Sequence, residues 1–223
     1  MNEYSRSNPS QRYRELVEMY RDMHDHGVSA ENIPAEETFD GRSLKPHAGN
    51  IRNIIKVLGS KTILDYGAGK GTQYLPTKID MPDGQIFPDV KSFWEVDSIT
   101  CFDPGHAPFS TLPEGRFDGV ISTDVLEHIP AEDIPWIIDE IFSYAEEFAY
   151  LNVACYPAAK TMPNGENAHC TLEPPKWWQA IFDEAVAAHP GLRYYALFDI
   201  PASGVGKGMT LRHQMITGKS KPK

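Results

Sequence analysis

The sequence predicts an α/β protein with a mostly parallel sheet and an antiparallel last strand. Three observations carry this. From residue 61 onward, short apolar runs of strand length alternate with helical patterns, as they do in βαβ units. The run 148–154 (FAYLNVA) is apolar almost throughout, as a strand covered on both faces must be. The chain then ends on two strand-like runs, 193–200 and 209–217, with a glycine-rich stretch 202–208 between them in place of a helix, which reads as a terminal hairpin.

The elements follow in order. Tyr13, Leu16, Val17, Tyr20 and Met23 form one stripe of a helix over 10–26, which Gly27 closes. Residues 28–45 are polar and irregular. A second helix is predicted over 46–58, with Pro46 in its first turn, Ile51, Ile54, Ile55 and Leu58 on its apolar face and Gly59 at its end. Residues 1–60 therefore read as a helical cap and 61–223 as the sheet domain. Strands are predicted at 61–66, 99–103 and 117–123. Pro76, Pro82, Gly84 and Pro88 mark 76–98 as an insertion. A helix over 131–147 turns Ile134, Ile137, Ile138, Ile141 and Phe142 inward, and another over 174–188 carries Trp177, Trp178, Ile181, Phe182 and Val186. Residues 104–116 are too few for a helix, a strand and a second helix, so the region where a third strand would follow is reduced.

Composition bounds the partners. At 223 residues the chain holds one domain, or one domain with a small cap. With 21 Lys and Arg against 31 Asp and Glu, the net charge of −10 disfavours phosphate backbones, so nucleic acid is not an expected partner. The lysines after Met215 (Lys219, Lys221, Lys223) are too few to change that. Residues 1–20 are polar, and no run is long and apolar enough to span a membrane. Cys101, Cys155 and Cys170 form no CxxC pair and no disulfide framework. A cytoplasmic protein acting on a small molecule is the expectation.

The strongest local signal is Asp65-Tyr66-Gly67-Ala68-Gly69-Lys70-Gly71. It follows a predicted strand and is expected to open a helix whose amides would favour an anionic group. Thr72 stands where the dinucleotide fingerprint needs its third glycine, and no P-loop spacing is present. The pattern D-x-G-x-G-x-G instead resembles the first motif of class I S-adenosylmethionine-dependent methyltransferases. Residues 117–130 (FDGVISTDVLEHIP) resemble that family's fourth motif. Asp103, in Cys101-Phe102-Asp103-Pro104, stands where the family places an acid for the ribose hydroxyls; read alone, Asp-Pro also simply starts turns.

The resemblance spans 61–155 and implies a Rossmann-like fold. It implies S-adenosylmethionine as cofactor, with S-adenosylhomocysteine as product, bound by Asp65, Gly67, Ala68, Gly69, Gly71, Asp103, Pro104, Thr123, Asp124 and Glu127. The acceptor is expected to be small and polar, a sugar or a phosphorylated or phosphoramidate metabolite. The sequence departs from the pattern in the long gap between Asp65 and Asp103 and in the reduced third-strand region. The adenine is therefore assigned to the 104–112 loop with Phe109. A cofactor-binding partner without activity and a nucleic-acid methyltransferase are the alternatives. The charge balance counts against the second, as does the lack of the (N/D/S)-P-P-(Y/F) tetrapeptide.

For the acceptor, His169, in the polar loop 157–171, and His128 are the candidate bases. Glu127, His128 and His169, preceded by Asp124, also resemble the E-x-x-E-H…H set of metal-assisted O-methyltransferases. V-L-E-H occurs as well in members that bind no metal, so the metal-free role is preferred over a divalent ion. Arg42, Lys45 and His47 either clamp an anionic group or decorate a helix start. Of Trp177 and Trp178, one is expected in the core and one towards the site. Residues 1–45 are expected to cover the acceptor, and removal of 1–27 to spare cofactor binding.

Overall fold

The computed structural model describes residues 4–28, 33–81, 84–203 and 209–220. The predicted glycine-rich connection lies outside them from residue 204 to 208, as do Pro82, Lys221 and Lys223.

The chain forms helices α1 (Gln11–His26), α2 (Ala48–Leu58), α3 (Val90–Trp94), α4 (Ile134–Tyr144) and α5 (Pro175–Ala187). Its strands are β1 (Thr62–Tyr66), β2 (Ile79–Asp80), β3 (Ile86–Phe87), β4 (Ser98–Phe102), β5 (Phe117–Thr123), β6 (Ala145–Ala154), β7 (Arg193–Ser203) and β8 (Thr210–Lys219). Six of them make one sheet in the order β4-β1-β5-β6-β7-β8. All its pairings are parallel except β7 with β8, and β8 lies at the outer edge. This is a Rossmann-like α/β fold, as the sequence predicts. The strand β4 is the other edge, and only a short 3-10 turn (Ala107–Phe109) stands between it and β5, so no third strand flanks it among the described residues.

The alternation of side chains along β1 divides the core in two. Leu64 and Tyr66 face α4 and α5, in a cluster with Val120, Ile137, Ile141, Trp178 and Phe182. Ile63 faces the other way, with Ile121, Phe148 and Tyr150, against Ile51 and Ile55 of α2 and Phe93 and Trp94 of α3. The predicted 1–60 cap thus does not stand apart, because α2 is a covering layer of the sheet. The insertion is also integral: Trp94 is fully buried, and its Nε1 donates to Ala48 O at 2.9 Å.

Two elements differ from their predicted extents. The helix predicted over 131–147 ends at Tyr144, where Arg116 donates to the carbonyls of Ser143 and Ala145 and the chain passes directly into β6. The glycine turn opens only a three-residue 3-10 turn, Thr72–Tyr74. Pro76 forces Leu75 into extended backbone, with ψ at 151°, so no helix can propagate and no row of helix amides faces the site.

Gly119 in β5 admits the Phe148 ring of β6, which lies where a side chain would begin. A Cβ there would come within 2.2 Å of the ring. Gly119→Ala is expected to lower stability by about 1–3 kcal/mol through overpacking. Urea unfolding followed by circular dichroism checks this, and an unmoved midpoint would contradict it.

Candidate active site at the strand ends

The site begins where β1 stops. The amides of Gly67 and Ala68 both donate to Phe102 O, at 2.7 and 3.1 Å, which ties the glycine turn to the end of β4. The Gly69 amide donates to Asp103 Oδ2 at 2.8 Å, and Gly105 N donates to Oδ1 of the same carboxylate at 2.8 Å. Asp65, beneath the turn, accepts from Gln73 Nε2 (3.0 Å) and Tyr74 OH (2.7 Å), and burial pushes its carboxyl up to about 6. Glycine is required at two of these positions. At Gly67 (φ 88°) a Cβ would strike Val125, and at Gly69 (φ 57°) it would lie 2.7 Å from Phe39 O.

That carbonyl belongs to a segment folded over the turn. Lys70 N donates to Phe39 O at 3.1 Å, Thr72 Oγ1 donates to Asp40 O at 2.6 Å, and Lys70 Nζ donates to the carbonyls of His24 and Ala35. Helix α1 crosses the same opening. Ser10 caps it by accepting from Tyr13 N, and Arg6 ahead of it pairs with Glu140 and Tyr66. The result is a cavity of about 460 Å³. Its base is 65–69, 103–105 and 123–125, its roof is Leu16, Val17, Tyr20 and His24 with residues 39–43, and Tyr156, Lys160, Ala168 and His169 close one side.

Of the expected cofactor residues, Asp65, Gly67, Ala68, Gly69, Asp103, Pro104, Thr123 and Asp124 line this cavity. Two do not. Gly71 faces Phe109 and Cys101 instead, which also keeps Phe109 out of the wall. Glu127 is fully buried with its Oε1 accepting from Ala154 N at 2.6 Å, so it braces the interior, and burial drives its carboxyl well above the usual range. The N-terminal segment expected to cover the acceptor does line this cavity. Leu16, Val17, Tyr20 and His24 are wall, and Tyr13 belongs to the main core, edge-on to Trp136 at 5.4 Å.

On the rim stand Asp124, His128 and His169. Asp124 directly follows β5 with φ at 60°, a left-handed conformation that holds its half-exposed carboxylate outward. His128 Nδ1 lies 2.9 Å from Ala168 O and 2.8 Å from Tyr20 OH, and His169 Nδ1 lies 2.6 Å from Tyr156 O. A carbonyl only accepts, so each Nδ1 carries the hydrogen and each Nε2 the lone pair. The rings meet edge-on at 4.7 Å, and His169 Nε2 is 3.9 Å from Asp124 Oδ1. His169 is buried, not a surface histidine. Burial holds the His128 pKa down at about 4, so this imidazole is neutral near pH 7.

One donor atom from each of the three residues falls within 4.8 Å of the others. A carboxylate and two imidazoles whose rings are oriented by backbone carbonyls form a donor set that fits a divalent ion. The set differs from the expected one in that Asp124 replaces Glu127, because the turn Leu126–His128 directs Glu127 inward.

The basic cluster does not converge. Arg42 pairs with Asp40 at 2.5 Å in solvent, Lys45 is exposed, and His47 is buried with its Nδ1 3.0 Å from Tyr150 OH. Trp178 is fully buried and Trp177 packs on the same core, so neither faces the site. Tyr20, His24 and Phe39 fall within the 1–45 span expected to cover the acceptor, but no local pattern marks any of them as wall. Tyr20 read as part of a core stripe, and the other two carried no motif.

Compared with known proteins, the chain matches no family model, and no curated protein or solved structure matches it.

His24 sits between Phe39 and His106, with ring centroids at 4.4 and 4.8 Å, and burial lowers its pKa to about 3. An unfolded histidine binds a proton below about pH 6.5, and the folded one does not until about 3. Stability from His24 is therefore full at neutral pH and is lost as pH falls through that window, and His128 acts the same way down to about 4. Asp65 opposes them, since its folded carboxyl takes up its proton near pH 6 and the unfolded one only near 4. His24→Gln is expected to flatten the fall in unfolding free energy between pH 6 and 4 by up to about 1.4 kcal/mol per pH unit. Urea titrations across that range check it, and an unchanged slope would contradict it.

Proposed function

We propose that this protein transfers a methyl group from S-adenosylmethionine to a hydroxyl of a small polar acceptor. The observation that carries the reading is the convergence, on one roofed cavity, of the glycine turn 65–69, the Asp103 carboxylate and the rim cluster Asp124, His128 and His169. The sequence resemblance assigns the turn to the methionine end of the cofactor and Asp103 to its ribose. The roof of α1 and Phe39 excludes water and orients the two reactants, which is the main requirement of an in-line displacement. A neutral imidazole on the rim takes the hydroxyl proton. In the alternative version of the role, a divalent ion held by Asp124, His128 and His169 would occupy the imidazole lone pairs and supply Lewis acidity at the acceptor oxygen in place of the base.

The net charge of −10 weighs against a nucleic-acid acceptor, and no helix among the described residues is long and apolar enough to cross a membrane. A cytoplasmic setting is proposed with this reading, resting on the three free cysteines.

Calorimetry with S-adenosylhomocysteine is expected to show binding, and Asp103→Ala to weaken it by about 1–3 kcal/mol, the loss of hydrogen bonds to a charged group. No binding would remove the reading. Binding without methyl transfer to any acceptor would favour a non-catalytic partner.

His169→Ala is expected to lower turnover about 10²–10⁴-fold with little effect on S-adenosylhomocysteine affinity. If an ion takes part, EDTA abolishes turnover and Mg²⁺, Mn²⁺ or Zn²⁺ restores it. Full activity in His169→Ala would exclude the rim cluster from the chemistry.

A further inference from the structure

A second cavity of about 510 Å³ opens beside the first and shares Ser43, Asp124 and Tyr156 with it. It lies over the carboxyl ends of β6 and β7, between the start of α2 and the start of β8. A chain of polar groups crosses its floor. The fully buried Tyr150 places its hydroxyl 3.0 Å from His47 Nδ1. His47, Asn50 and Asn152 all line the chamber. Asn152 Nδ2 donates to Asp199 Oδ2 at 3.0 Å and to Leu197 O at 3.2 Å, and His213 Nδ1 meets Asp199 Oδ1 at 2.6 Å.

Linked polar groups of this kind are held in one arrangement, and a fold needs none of them for stability, since apolar residues of similar volume would serve as well. They alternate donors and acceptors, which suits hydroxyls, each of which donates and accepts. The charge of the chamber selects further. No lysine or arginine lines it among the described residues, burial favours the neutral form of His47, and both ionisable acids, Asp124 and Asp199, carry the wrong sign for an anion. Asp199 is already met by Asn152 and His213, which leaves Asp124 as the one open carboxylate and makes the chamber a poor fit for a polycation.

We propose that this chamber is the acceptor subsite and that it takes an uncharged, polyhydroxylated, sugar-like molecule. Its reacting hydroxyl reaches the rim cluster across Asp124. The proposal rests on the methyl-transfer reading and narrows it, setting aside phosphorylated and phosphoramidate acceptors. In the step itself the acceptor oxygen forms a bond to the methyl carbon as the sulfur–methyl bond breaks. The bonding pair returns to sulfur, which becomes a neutral thioether, and the hydroxyl proton passes to a rim imidazole.

The test supplies the protein with S-adenosylmethionine labelled in its methyl group and with small-molecule extracts of cells that make it, separated into neutral, anionic and cationic fractions. Label is expected in the neutral fraction, on a periodate-sensitive product. Label confined to the anionic or cationic fraction overturns the proposal, as does the absence of label in every fraction from protein that binds S-adenosylhomocysteine. Failure to bind S-adenosylhomocysteine removes the methyl-transfer reading itself, and the proposal with it. Asn152→Leu and Asn50→Ala are each expected to raise the acceptor KM by about fivefold, the equivalent of one neutral hydrogen bond, with cofactor affinity unchanged. Asn50 is exposed at the start of α2, so its variant folds even if the buried Asn152→Leu does not. An unchanged KM in Asn50→Ala overturns the assignment of the chamber.

Discussion

The approach of the Phe39 carbonyl to the glycine turn is the contact on which the site depends. It is allowed only because Gly69 has no Cβ, and it is fixed by the Lys70 amide that donates to it. Phe39 adopts a left-handed backbone, φ 49°, to make this contact, a conformation that costs a bulky residue free energy and persists only when its surroundings enforce it. Lys70 Nζ enforces it from one side by binding the carbonyls at the end of α1 and at Ala35, and Thr72 does so from the other through Asp40. With Phe39 in place, its ring meets Tyr20 and His24, and α1 is drawn across the strand ends as a roof.

The electrostatics follow from that roof. Buried beneath it, His24 and His128 lose solvation of their charged forms and stay neutral, and the Asp65 carboxyl is pushed up. Glu127 goes further still because it is fully buried and Asp124 lies near it, with the Ala154 amide on one oxygen as partial compensation. Its second oxygen has no hydrogen-bond partner. Asp124, by contrast, is turned outward and half-exposed, so the rim combines one open carboxylate with two imidazoles whose orientation is set by backbone carbonyls. Two neighbouring carboxylates, 124 and 127, are thus given opposite duties by burial alone.

The run 148–154 was legible because a strand covered on both faces must be apolar along its length, and 61–66 and 117–123 were legible from their place in the alternation of strand-length and helical patterns. The errors fell where a side chain from a distant element intervened. Arg116 took the last carbonyls of α4 and shortened the predicted helix, and Pro76 with the turned-back Gln73 and Tyr74 stopped a helix after Gly71. The basic trio Arg42, Lys45 and His47 read as one cluster because the residues are close in sequence. Asp40 claims the first, solvent the second and Tyr150 the third.

What the sequence determined by itself was whatever depends on local chemistry: the alternation of strand and helix, the glycines that let backbone approach backbone, and the acids and histidines at the strand ends. Which of those groups face a common space was decided only by the tertiary fold. Glu127 and Asp124 are three residues apart and chemically alike, yet one is sealed against Ala154 and the other opens onto both cavities. His47 and Asn152 are over a hundred residues apart and carry no joint pattern, yet the parallel pairing of β6 with β7 and the packing of α2 on the sheet bring them to the wall of one cavity. Periodicity reports whether a side chain is buried, but the partner it is buried against is set by how strands are ordered in the sheet, and that ordering is a property of the whole chain.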